Sequence, residues 1–67
     1  MNIILNNRDE SFDTEKMTVS QLFEFKNFTF KLKVVKINGV LVKKDNYDNT
    51  QINEGDKVEM HYLMSGG

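Results

Sequence analysis

Apolar and polar residues alternate, cluster and alternate again along this chain, and the changes of period mark out its elements. Met1, Ile3 and Leu5 share one parity and Asn2, Ile4 and Asn6 the other, which predicts a half-buried strand with Ile4 turned to solvent. Asn6-Asn7-Arg8-Asp9 predicts a turn, because Asn and Asp accept positive φ and hydrogen-bond their own backbone. Glu10 to Thr14 is a weaker strand carried by Phe12, and would complete a hairpin. The period then changes. Thr18 with Gln21 fits a capping box, and Met17 with Leu22 fits a hydrophobic staple. Val19, Leu22, Phe23 and Lys26 fall on one helical face, and Asn27 suits a left-handed cap, so the helix ends near Lys26. A helix of about nine residues is not stable alone and has to lie on a sheet.

From Phe28 the period returns to two, through Phe30, Leu32 and Val34, and then shifts parity to Val35 and Ile37. The shift predicts a bulge at Val34-Val35 or a strand covered on both faces. Asn38-Gly39 between β-branched runs is a strong hairpin signal for a two-residue type I′ turn, with Val40 to Val42 as the return strand. Lys43 to Glu54 is polar apart from Tyr47 and Ile52, and is expected to be a surface loop tacked down by those two side chains. Glu54-Gly55-Asp56 turns the chain into a last strand, where Val58, Met60, Tyr62 and Met64 alternate with Glu59, His61 and Leu63. That strand runs straight into Ser65-Gly66-Gly67. The order is strand, strand, helix, strand, strand, loop, strand. It predicts an α+β domain with a mixed sheet of four to five strands packed on one helix, the β-grasp arrangement. Residues 1–64 are expected to form that domain and 65–67 a flexible tail.

Composition narrows what such a domain can do. A chain of 67 residues buries only about 60% of the surface it exposes when unfolded, which leaves no room for a deep, walled active site. There is no cysteine and one histidine, His61, so thiolate chemistry, disulfides, most metal sites and most acid–base dyads are excluded. No catalytic residue and no metal ligand is expected. The formal net charge of -1, with both signs interspersed, argues against nucleic acid as a partner. No apolar run approaches the roughly 20 residues that span a bilayer, and no signal peptide is visible, so a cytoplasmic setting and no membrane partner are expected. The tail is the remaining candidate. Two terminal glycines add nothing to a folded core but let the backbone pass close to another surface, delivering the α-carboxylate of Gly67 into a narrow slot. A docking face for the partner is expected on the open side of the sheet, at Ile4, His61 and Leu63, on the parity opposite the core.

Val35-Lys36-Ile37-Asn38-Gly39, Glu54-Gly55-Asp56-Lys57-Val58 and the Ser-Gly-Gly end together resemble the ThiS family of thiamine-biosynthesis sulfur carriers. Thr18-Val19 with Leu22 matches that family's Thr-Val-x-x-Leu at the helix start, and Tyr47 stands where an aromatic is common. The resemblance spans essentially the whole chain. It implies a ubiquitin-like fold whose C-terminal glycine is adenylated by an E1-like enzyme using ATP and Mg²⁺. It further implies conversion to a thiocarboxylate, with sulfur from a donor such as a cysteine desulfurase, and delivery to a thiazole synthase. The carrier itself would bind no cofactor stably. On this reading Gly67 bears the sulfur, while Gly66 and Ser65 thread the partner's channel. The small subunit of molybdopterin synthase resembles the same fold and end. It tends to carry prolines before its tail, whereas this chain has none and reads Tyr62-Leu63-Met64 there. A β-grasp interaction module with an idle tail and a ubiquitin-type modifier are the readings from other classes.

Overall fold

In a computed structural model, the structure describes residues 1–26 and 32–62. Two adjacent asparagines in left-handed conformations, Asn6 (φ 50) and Asn7 (φ 68), fold β1 (Asn2–Leu5) back on β2 (Arg8–Ser11). Asn tolerates this region because its short polar side chain bonds locally. The turn is therefore two residues long, tighter than the Asn6-to-Asp9 turn expected from the sequence. The second strand begins at Arg8 and ends at Ser11, so the expected Glu10-to-Thr14 strand is displaced toward the N-terminus. Phe12 follows it, partly buried against the core.

After β3 (Met17–Thr18) comes α1 (Val19–Lys26), ending where the sequence placed its end. Its start shows how the orphan donors of a first turn are used up. The Thr18 N–H donates to Gln21 Oε1 (2.8 Å) and the Gln21 N–H to Thr18 Oγ1 (3.2 Å), which is the expected capping box. The two donors between them reach outside the helix, Val19 N–H to the Thr50 carbonyl (3.1 Å) and Ser20 N–H to the Tyr47 carbonyl (3.2 Å). The Asn27 cap and the expected strand start at 28–31 lie outside the described residues.

The segment expected to be a loop contributes more than two anchors. It holds a 3-10 turn (Lys44–Asn46) and β6 (Gln51–Ile52), which pairs antiparallel with β3 through Met17 and Ile52. Strands of two residues carry no periodicity, so their pairing shows only in three dimensions. Tyr47 packs edge-on against Phe23, with ring centroids 5.2 Å apart.

The main sheet has the order β2-β1-β7-β4-β5, with β4 at Leu32–Ile37, β5 at Val40–Val42 and β7 at Lys57–Tyr62. The last strand lies at its centre, parallel to β1 and antiparallel to β4. This is the α+β grasp of a mixed five-stranded sheet on one helix. The expected bulge is present one position early. Leu32 and Val34 on β4 face Tyr62 and His61, adjacent residues on β7, which leaves Lys33 as the extra residue. Asn38 (φ 51) and Gly39 (φ 84) close the β4–β5 hairpin with the positive φ pair of a type I′ turn.

Beneath the sheet Ile3, Leu5, Val35, Val42, Val58 and Met60 meet Val19 and Leu22 of the helix and Met17 and Ile52 of the small sheet. No polar or charged side chain is buried among the described residues. The driving force is therefore apolar burial, roughly 1.5–3 kcal/mol for each fully buried Val, Leu or Ile before entropy is set against it. The Lys26–Glu10 ion pair (3.1 Å) ties the helix end to β2; about a third exposed, such a pair contributes about 0–1 kcal/mol.

Candidate functional site

β7 lies at the centre of the sheet, between β1 and β4, and it is the strand that leads toward residues 63–67. Along its first residues it is bonded on both sides. Val58 faces Leu5 of β1 and Ile37 of β4, and its carbonyl accepts the Asn6 N–H (2.9 Å). Here β1 gives way to its turn, while β7 continues to Tyr62. The Asn6 side chain fills the gap, its Oδ1 accepting the Met60 N–H at 2.9 Å. The same asparagine thus makes the turn and extends the ladder. A sequence reading that assigns Asn6 to a turn finds half of this. The other half joins residues 54 apart and leaves no local signal.

At its entry β7 is held by a second polar cluster. Asp56 Oδ2 accepts the Asn53 N–H (2.8 Å), and Asp56 Oδ1 accepts from Asn38 Nδ2 (3.0 Å). Asn38 Oδ1 accepts the Lys57 N–H at 3.0 Å. Gly55, at φ 81, supplies the left-handed step between Glu54 and Asp56. Glu54 in turn accepts the Asn2 N–H through both carboxylate oxygens (3.0 and 3.1 Å).

The sheet face away from the helix holds two of the expected docking residues. Ile4 is 38% exposed on β1, beside Lys57. His61 is exposed on β7, beside the half-buried Val34, with Nε2 3.6 Å from Glu59 Oε2. They share a face without forming one contact, since four residues of strand separate Lys57 from His61, about 13 Å. Between them runs a charged row, Glu59 opposite Lys36, which continues to Leu41 on the edge strand. Leu41 is 57% exposed and extends the apolar part of this face. It was missed because Val40-Leu41-Val42 is apolar throughout, and only the register shows which residue turns outward. Leu63, Ser65, Gly66 and Gly67 lie outside the described residues.

Among the described residues no group of three His, Cys, Asp or Glu side chains could hold a metal ion. No buried side-chain nitrogen or oxygen among them lacks a partner. No helix among them is long and apolar enough to cross a membrane.

Comparison with known proteins agrees with the fold. A family model described as the ThiS family matches residues 3–67. The crystal structure of the thiamine biosynthesis protein (ThiS) from Geobacter metallireducens is 28% identical, with a TM-score of 0.89 over 100% of both chains. A solution structure of a thiamine biosynthesis protein from the same organism is 28% identical with a TM-score of 0.75, covering 100% of this chain and 88% of that one. No curated protein matches the chain.

Proposed function

Because the chain belongs to the ThiS family, we propose that it is a sulfur carrier of thiamine biosynthesis whose working group is the carboxylate of Gly67. The observation that carries the reading is the family match through residue 67, which takes in Ser65-Gly66-Gly67 behind the central strand. A carboxylate resists nucleophiles because its negative charge repels them. Attack of its oxygen on the α-phosphorus of ATP, with loss of pyrophosphate, converts it to a mixed anhydride with AMP. The outer sulfur of a donor persulfide then adds at the carbonyl carbon and AMP leaves. A thiol reductant cleaves the S–S bond of the resulting acyl disulfide, freeing the thiocarboxylate and the donor thiol while the reductant is oxidised to its disulfide. ATP and Mg²⁺ belong to the E1-like partner, and the sulfur is passed on to a thiazole synthase. A cytoplasmic setting, where ATP is plentiful, suits this chemistry. With no cysteine in the chain, the terminal carbonyl is its one fitting sulfur-bearing group.

Residues 1–64 act in this reading as the body that presents the tail at 65–67. Ile4, His61 and Leu63 contribute to the face that the activating enzyme and the acceptor engage. Leu41 and Val34, on the same side of the sheet as His61, enlarge it. The central, doubly flanked start of β7 supports the assignment physically. A strand held on both sides transmits the load when a partner draws the tail into its channel.

Intact mass after incubation with ATP, Mg²⁺, the activating enzyme and a sulfur donor tests the proposal. A carrier gains the mass difference between sulfur and oxygen. An unchanged mass would favour an interaction module, and attachment to lysines of other proteins a modifier. Sulfur loading that survives removal of Gly67 would overturn the mechanism.

A further inference from the structure

Asn38 makes the type I′ turn and also holds it to the next segment, and the bond it donates to Asp56 depends on its being an amide. We infer that Asn38 is a deamidation site that the folded hairpin keeps closed, so that opening of the β4–β5 turn becomes irreversible damage. Asn38-Gly39 is the chain's one Asn-Gly step, and glycine at the second position leaves its backbone nitrogen unshielded by any Cβ. The reaction needs only water. The Gly39 nitrogen loses its proton to solvent base and bonds to Asn38 Cγ. The Cγ–Nδ2 bond breaks, and Nδ2 leaves as ammonia after taking up a proton. The five-membered succinimide then adds one water and opens to aspartate or isoaspartate.

In the fold, ring closure is opposed by both ends of the side chain. Nδ2 donates to Asp56 Oδ1 (3.0 Å) and Oδ1 accepts the Lys57 N–H (3.0 Å), while the Asn38 N–H itself donates to the Lys57 carbonyl (2.7 Å). For Cγ to swing onto the Gly39 nitrogen, both side-chain bonds must break and the peptide plane of the turn must rotate. The residues that hold the amide closed lie on another segment, so protection is a property of the tertiary structure and not of the turn alone.

The product cannot return to this arrangement. Aspartate at position 38 places a second carboxylate where an amide donor met Asp56, turning a hydrogen bond into a like-charge contact. Isoaspartate adds a backbone carbon to a two-residue turn whose register depends on its length. Either product loosens the entry of β7 at Asp56-Lys57. The site thus records an opening of the hairpin, because a converted turn is less able to close.

Peptide mapping by mass spectrometry, with isoaspartate quantified, tests this at mildly alkaline pH. Wild-type protein is compared in buffer, in denaturing urea, and as the Asp56→Ala variant in buffer with its fold checked by circular dichroism. Conversion at position 38 is expected to be at least about tenfold slower in the native protein than in urea, as a modest opening free energy requires. Folded Asp56→Ala should convert faster than wild type. Equal rates in buffer and urea would overturn the inference, as would an unchanged rate in folded Asp56→Ala. Independently of any rate, Asn38→Asp should lower Tm, and adding Asp56→Asn should restore much of the loss by exchanging donor and acceptor. A Tm unaffected by Asn38→Asp would refute the claim that the product cannot re-form the contact.

Discussion

Replacing Asn6 tests how β7 is held where its parallel partner turns away. Asn6 sits at φ 50, and its Oδ1 accepts the Met60 N–H at 2.9 Å in a half-buried setting. Asn6→Gly keeps the backbone conformation but leaves that N–H to whatever water can reach it. An unsatisfied buried donor costs about 1–3 kcal/mol, and the half-buried setting argues for about 1. The extra freedom of glycine in the unfolded chain adds about 0.5–1 kcal/mol, for a total of roughly 1.5–2. Asn6→Ala loses the same bond and forces a Cβ into the left-handed region at about 1–2 kcal/mol, for a total of roughly 2–3. Asn6→Asp keeps an acceptor and a tolerated conformation, and should stay within about 1 kcal/mol of wild type. The expected stability order is Asn, Asp, Gly, Ala, measured by urea unfolding and by Tm. About 4–8 °C per kcal/mol for a domain of this size puts the glycine variant roughly 6–16 °C low. Amide exchange supplies the local readout, with Met60 losing protection in the glycine variant and keeping it in the aspartate variant. Should Asn6→Gly match Asn6→Asp in stability while the Met60 amide stays protected in both, the side-chain bond contributes nothing and the reasoning fails.

Three further outcomes follow from the same contacts. Gln21→Ala removes the acceptor for the Thr18 N–H and should cost about 1 kcal/mol, read from chemical denaturation; no loss would mean that solvent serves the donor equally well. Ile52→Ala, at a fully buried position in a segment that reads as loop, should cost about 2–5 kcal/mol, whereas a change under about 0.5 would make the second sheet a decoration. Ile4→Ala with Leu63→Ala should weaken binding to the activating enzyme, followed by calorimetry; undiminished affinity would remove these residues from the docking face.

Much of this protein is written in residues close to one another. The alternation of Ile3 and Leu5, the box of Thr18 and Gln21 and the Asn38-Gly39 turn are local effects of backbone preference and side-chain period. Each stands in the structure where the sequence put it. The family resemblance was legible for the same reason, since its marks are turn and cap residues at fixed spacing. The composition alone also pointed away from side-chain chemistry, because a chain without cysteine cannot hold a thiolate. Tertiary structure decided the rest. It paired Met17 with Ile52, which two-residue strands cannot announce, and turned Leu41 outward through a register that an all-apolar strand leaves open. It also gave Asn6 and Asn38 their second tasks, to Met60 and to Asp56-Lys57. Those bonds join segments far apart in the chain, so their geometry exists only once the core has brought β1, β4 and β7 side by side.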